Sequence, residues 1–369
     1  MSILAVTDTA PRIWRCSAKN MKVVVVDPPT ILPIVNASVI QGDVRSILPK
    51  LPSESVQCVV TSPPYWGLRD YGIEGQIGLE PTMAGFINSL TGVFSEVRRI
   101  LKPDGILWLN IGDGFTSGNR GWRAPDKKNP NRAMNVRPDN PPGLKDKDLM
   151  GIPWRLAFAL QDDGWYLRSD IIWNKPNAMP ESVKDRPTRA HEYLFMFTKS
   201  DKYTYHGERV KEVGENGVLR NRRSVWNINT AASAGAHIAS FPEALVEPCI
   251  LASTNEDEVV FDPFFGCGTV GLVARKRNRH FLGIELNPEY VASALGLLGP
   301  PTFGTGRNGK PLTTCNNEND FTLHDAPSLC DQCLGAGPKS ASAQGSDSNG
   351  QKRRISYPKQ GTGQKRPGK

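Results

Sequence analysis

The chain alternates short apolar runs with amphipathic stretches, and that rhythm predicts its elements. Ala37 to Ile40 reads as a strand closed by Gln41-Gly42-Asp43, with a helical stretch following to Leu51. Val56-Gln57-Cys58-Val59-Val60 has the β-branched content of a buried strand. Pro63 has no amide hydrogen for a central ladder, so this strand ends at Thr61 or Ser62. Phe86, Leu90, Val93, Phe94, Val97, Ile100 and Leu101 recur at helical spacing over 84–101. A Lys102-Pro103-Asp104-Gly105 turn then precedes a strand over Ile106 to Ile111. Beyond it the pattern predicts a helix over Leu149 to Leu160, strands over Trp165 to Trp173 and His191 to Thr198, and a helix over Phe241 to Ser253. Last come a strand from Val259, a helix ending at Arg277, and a strand from Phe281 to Ile284 that ends in Glu285. Strands alternating with helices predict an α/β chain built on a parallel sheet.

Regular patterning fails in five places. Residues 115–147 hold five prolines and eight basic against three acidic residues, and Arg120, Arg123, Lys127, Lys128, Arg132 and Arg137 surround Trp122. A loop of that length inside a domain is commonly functional, and this composition suits phosphate contact. Residues 174–236 are the second, polar and irregular on both sides of the strand over His191 to Thr198, with Arg220, Arg222, Arg223 and Trp226 clustered; sequence-specific contacts to a nucleic acid are expected from these two insertions. Residues 1–35 read as an N-terminal extension, whose Asp27-Pro28-Pro29 lacks a following aromatic ring. Finally, 299–333 carries Cys315, His324, Cys330 and Cys333, weak candidates for a zinc site because a single C-x-x-C anchors them; no metal is assigned. From 334 to 369 the composition is that of a disordered basic tail.

Composition sharpens this outline. At 369 residues, 38% hydrophobic and 22% charged, the chain has room for one large α/β domain with insertions. Its longest apolar stretch is broken by Asp27-Pro28-Pro29, which excludes a membrane span, and the first twenty residues lack the apolar core of a secretory signal; the expected location is the cytoplasm. The net charge of +8 suggests nucleic acid. Eight Lys or Arg against one Asp lie in 334–369, however, so the body is nearly neutral and a DNA face there must be a local patch. Seven scattered cysteines make no disulfide framework.

The candidate chemistry lies in two stretches. In Thr61-Ser62-Pro63-Pro64-Tyr65-Trp66, two prolines fix the backbone where a strand stops. That directs the Ser62 hydroxyl and the Pro63 carbonyl towards one point, beside a ring face from Tyr65 or Trp66. Such a point suits the exocyclic amine of a planar base. In Phe261-Asp262-Pro263-Phe264-Phe265-Gly266-Cys267-Gly268-Thr269, a strand turns tightly into a helix, and an acidic residue, Glu285, follows about twenty positions on. Gly266 and Gly268 admit close backbone approach and Glu285 can accept both hydroxyls of a ribose, so an adenosine-containing cofactor is implied. Asp43, at the C-terminal end of its own strand, is a candidate cofactor partner or, equally, a helix N-cap. Gly266, Gly268 and Gly271 also satisfy the dinucleotide fingerprint, which keeps a nicotinamide-dependent oxidoreductase as an alternative; a non-catalytic DNA-binding protein is another. The G-x-x-x-x-G-K match at 304–310 has Pro311 where a phosphate loop needs a hydroxyl, and is discarded.

Together, TSPPYW at 61–66 and FDPFFGCGT at 261–269 with Glu285 resemble the amino-methyltransferases of DNA, in the permuted, beta-type order where the catalytic motif comes first. The resemblance covers roughly residues 37–295. It implies a Rossmann-like, circularly permuted methyltransferase sheet over 36–298 that uses S-adenosyl-L-methionine on double-stranded DNA. It also implies catalysis by Ser62, Pro63, Pro64 and Tyr65, with the cofactor held by Asp43, Phe241, Pro242, Asp262, Phe264, Gly266, Gly268, Thr269 and Glu285. Cys267 departs from the serine usual in the family, and a thiol is a weaker donor. Ser62 at the head of the tetrapeptide implies N4 of cytosine as target, where the family's adenine-N6 enzymes tend to carry Asp or Asn. The basic tail adds a separate expectation. Deleting 334–369 should flatten the salt dependence of DNA binding without changing the methylated site, and an unchanged slope would refute a phosphate role for the tail.

Overall fold

In the computed structural model the described residues are 2–5, 13–15, 22–25, 37–116, 139–230 and 241–299. The chain divides into two units, 1–320 and 321–369, and every described residue belongs to the first. Residues 117–138 of the basic stretch 115–147, the candidate cysteines and histidine of 299–333 and the stretch 334–369 all lie outside the described residues.

The centre of the molecule is a run of parallel strands: β4 (Ala37–Gln41), β5 (Val56–Thr61), β6 (Leu101–Ile111), β12 (Val259–Asp262) and β13 (His280–Glu285). They stand in the order β6-β5-β12-β13-β4, so the two motif-bearing strands β5 and β12 are neighbours although about 200 residues separate them. Alternating side chains feed two cores. Leu107, Leu109 and Ile111 of β6 face one core with α2 (Met83–Ile100) and α3 (Ile152–Asp162), while Ile106 and Trp108 face the other with α4 (Glu243–Ser253) and α5 (Thr269–Lys276). The crossover that leaves β5 therefore reaches one face of the sheet and the one leaving β12 reaches the opposite face. A crevice opens between them at the C-terminal ends of the strands, the position where open α/β sheets bind ligands.

The structure corrects the expected pattern in several places. The sheet is mixed: β8 (His191–Thr198) runs antiparallel to β6 and to β7 (Tyr166–Asn174), and three-residue β11 (Val225–Asn227) adds to β7 in parallel. Between β8 and β11 the chain also forms a separate antiparallel pair, β9 (Glu212–Val213) with β10 (Leu219–Arg220). Residues 2–25, read as an extension, contribute three short strands that continue the sheet beyond β4: β1 (Ser2–Ala5), β2 (Ile13–Arg15) and β3 (Lys22–Val25). Lys102-Pro103-Asp104-Gly105 is no separate turn. β6 starts at Leu101, and a register shift between Val56 and Cys58 absorbs Pro103, which has no ladder donor to offer. Leu149 bridges to Phe115 instead of opening α3, and the final helix α6 (Pro288–Leu298) was missed although Asn287 caps it and proline stands at its first position.

Asp113, just past β6, holds this end of the sheet to α3. Its carboxylate accepts from the N–H groups of Gly114, Gly151 and Ile152 at 2.9, 3.1 and 3.1 Å, and burial holds its pKa above the usual carboxylate value. The Asp113→Ala variant should lose about 1–2 kcal/mol, because orphan donors remain at the helix start. Urea unfolding at neutral pH measures it.

Candidate active site

The crevice is a cleft of about 900 Å³. Its walls include Ser62, Pro63, Pro64 and Tyr65 from the segment after β5, and Asp262, Phe264, Gly266 and Thr269 from the turn after β12, with Asp43, Phe241 and Glu285. Of the residues expected at the cofactor, two do not line it. Pro242 is the buried N-cap of α4, and Gly268 is the N-cap of α5 at φ 89°, turned towards Ala294. Both shape the wall from behind, since a proline before a helix and a left-handed glycine set backbone direction without presenting a polar group.

The two motifs are bonded to each other. Thr61 Oγ1 donates to Asp262 Oδ1 at 2.7 Å, and the same oxygen accepts from Phe264 N–H at 3.0 Å, which folds the turn after β12 back on itself. Glu285 closes the far side of that turn, its Oε2 accepting from Gly266 N–H at 2.7 Å and its Oε1 from Asn287 N–H at 2.8 Å. Burial raises the Glu285 pKa against the pull of those donors. Asp43 is the helix N-cap, the second of the two readings of it: it caps α1 (Val44–Ile47) through Arg45 N–H at 2.9 Å and pairs with the Arg45 guanidinium, and it also lines the cleft. Cys267 also lines the cleft, its sulfur 3.7 Å from Thr269 Oγ1.

Of the two rings in Thr61-Ser62-Pro63-Pro64-Tyr65-Trp66 only Tyr65 faces the cleft. Trp66 is buried under α2 and donates to the Glu80 carbonyl at 2.8 Å. The Tyr65 hydroxyl donates to Glu192 Oε2 at 2.9 Å, and burial and that neighbouring carboxylate push its pKa well up. Glu192, Asn110 and Lys175 also line the cleft and were not foreseen. One signal was available: Asn110 is a lone amide in the otherwise apolar run Ile106 to Ile111.

Residues 56–295 match the family model described as DNA methylase. The chain is a DNA methylase of the N4/N6 amino-methyltransferase family. The methylase is 67% identical over 266 residues to the type II methyltransferase M.XycI of Xanthomonas campestris pv. cyanopsidis, which spans 72% of this chain and 89% of the relative. It is 56% identical over 261 residues to M.SmaI of Serratia marcescens, covering 70% and 89% of the two chains. Among solved structures, PvuII DNA methyltransferase superposes with a TM-score of 0.55 at 22% identity over 73% of this chain and 89% of that one. TTHA0409 of Thermus thermophilus does so at 0.50 with 26% identity, over 72% and 93%. Among the described residues of the methylase no helix is long and apolar enough to cross a membrane, and no cluster could hold a metal ion.

Asp262 makes the site sensitive to pH. Burial pushes its carboxyl up to about 7 from an ordinary 3.8. The folded methylase thus binds this proton more tightly than the unfolded chain, so the contribution to stability is most favourable below pH 4 and is lost as pH rises to 7. Asp262→Asn keeps the Oδ1 acceptor for Thr61 and Phe264 while removing the charge. The variant should exceed the wild type by on the order of 2 kcal/mol at pH 8 and lose that advantage at pH 4, part of the pKa effect being offset by new amide hydrogens left without partners. Urea unfolding of both proteins across pH 4 to 8 tests this, and a constant difference would refute it.

Proposed function

We propose that the methylase transfers a methyl group from S-adenosyl-L-methionine to the exocyclic N4 amine of a cytosine extruded from double-stranded DNA. The observation that carries the choice of atom is Ser62 at the head of Ser-Pro-Pro-Tyr, where a carboxylate or amide would favour adenine. Domain roles follow: 36–298 is the methyltransferase domain, and 115–147 with 174–236 are its DNA-contacting insertions.

The residues present fit the cofactor. TTHA0409 has been solved complexed with S-adenosyl-L-methionine. In this methylase the Glu285 carboxylate accepts backbone N–H groups of Gly266, Asn287 and Leu286, and with about four lone-pair sites it keeps acceptor capacity for a ribose hydroxyl. The backbone at Gly266 lies open to the cleft, and a volume of about 900 Å³ leaves room for a base beside a cofactor. Asp43, Phe241, Asp262, Phe264, Thr269 and Glu285 would hold it. When bound, it supplies a methyl group on a positively charged sulfur.

The remaining work falls to the catalytic stretch. The amine's lone pair is delocalised into the base, which makes it a poor nucleophile. Ser62 Oγ and the Pro63 carbonyl accept its two hydrogens and hold it in a geometry that returns electron density to nitrogen, as preorganised acceptors. Tyr65 offers its ring to the extruded base, offsetting an unstacking cost of a few kcal/mol. Pro64 keeps the spacing between them rigid.

Expression in a methylation-deficient host, digestion of the DNA to nucleosides and mass spectrometry test the reading. N4-methylcytosine is expected, and N6-methyladenine alone would overturn the target atom while leaving the fold intact. In the same assay Ser62→Ala and Tyr65→Ala should each lose at least about 100-fold in rate, the scale for removing one group aimed at a transition state. Both should still bind the cofactor; full activity in either would sink the role proposed for that side chain.

A further inference from the structure

Glu192 belongs to neither sequence motif, yet it is the hub of the polar groups that wall the cleft beside Tyr65. Its Oε2 accepts from the Tyr65 hydroxyl at 2.9 Å and from Asn110 Nδ2 at 3.2 Å, while its Oε1 is paired with Lys175 Nζ. Lys175 is held in turn over the Trp173 ring, 4.2 Å from its centroid, and Asn110 also donates to the Tyr193 carbonyl at 3.1 Å. Four strands are needed for this assembly. Tyr65 follows β5, Asn110 stands in β6, Lys175 follows β7, and Glu192 is the second residue of β8, directly opposite Trp173 in the antiparallel pair.

Gly112 forms the floor. A Cβ there would stand 2.8 Å from Tyr65 Cε2 and 3.3 Å from Glu192 Cγ, so the ring and the carboxylate stem close over bare backbone. The two contacts constrain different torsions. Rotation about the Cβ–Cγ bond of a tyrosine turns the ring without displacing the hydroxyl, which lies on that axis. A bond to the hydroxyl therefore fixes where the ring stands, and the packed floor fixes its plane.

We propose, on the reading that Tyr65 is the ring against which the extruded base packs, that Glu192 is a positioning residue of the base pocket. It acts through the Tyr65 hydroxyl, and Lys175 and Asn110 hold it in place. The carboxylate is acceptor-only, so both neighbours and the phenol must point their hydrogens at it, and the arrangement has a single polarity. A charge-assisted tether of this kind holds a side chain more firmly than a neutral one, and a platform displaced by a fraction of an ångström costs rate when the reacting atoms must align.

A double-mutant cycle on methylation of unmethylated plasmid DNA tests it. Glu192→Gln should lower kcat about tenfold, or about 1.4 kcal/mol, by weakening its bond to the phenol, and Tyr65→Phe by at least as much, since it removes that bond together with the phenol's hydrogen bonds to Ser62 and Gly112. The double variant should be no slower than the slower single one. KM and binding for S-adenosyl-L-methionine should be unchanged, a split that simple destabilisation of the fold would not give. Glu192→Asp, one methylene too short to reach the phenol, should repeat the loss and serves if the glutamine variant does not fold. Independent losses that multiply to about 100-fold, or a fully active Glu192→Gln, would overturn the positioning role. A fully active Tyr65→Ala would overturn the reading of the pocket itself, which separates the two failures.

Discussion

A buried hydrogen bond between Thr61 and Asp262 holds the two halves of the site in register. Each residue ends a strand, each strand leads into a motif, and the 2.7 Å bond joins segments 201 positions apart in the chain. Its partners are both withdrawn from water, so the bond is strong and the charge on Asp262 is costly. That cost appears as the upward shift of the carboxyl, and it is tolerated because one oxygen serves three ends at once: the strand carrying the catalytic stretch, its own strand, and the turn to Phe264.

From that junction the cleft follows by topology. Because α2 and α5 take opposite faces of the sheet, the chain parts above β5 and β12 and leaves backbone carbonyls and amides facing one space. A parallel sheet alone would supply one wall. The antiparallel pair β7/β8 extends it, bringing Lys175 and Glu192 to the cleft beside Tyr65. Two devices give local rigidity at Tyr65: the consecutive prolines before it and the polar network that holds its hydroxyl.

The charges in the cleft are distributed to match. Carboxylates at 43, 262 and 285 ring the glycine turn, where a cationic donor would sit, and each is satisfied by backbone or hydroxyl donors so that none is stranded. Lys175 and Arg189 line the cleft as well, and each is paired with a carboxylate, Glu192 and Asp113.

Sequence alone determined the strand that stops at Thr61, the glycine turn after Asp262, Glu285 twenty positions on, and an α/β sheet, since these follow from local rules: proline has no amide hydrogen, glycine tolerates a left-handed backbone, and hydrophobic periodicity differs between helix and strand. Ten of the eleven non-glycine residues named for the site reach the cleft for the same reason, Pro242 being the exception. What the tertiary structure decided was partnership. Nothing local tells β8 to run antiparallel, or selects Tyr65 over Trp66 as the ring facing the cleft, or pairs Glu192 with a phenol 127 positions away. Those choices depend on which segments share the space above the sheet, and that is fixed by strand order and packing, which no window of neighbouring residues encodes.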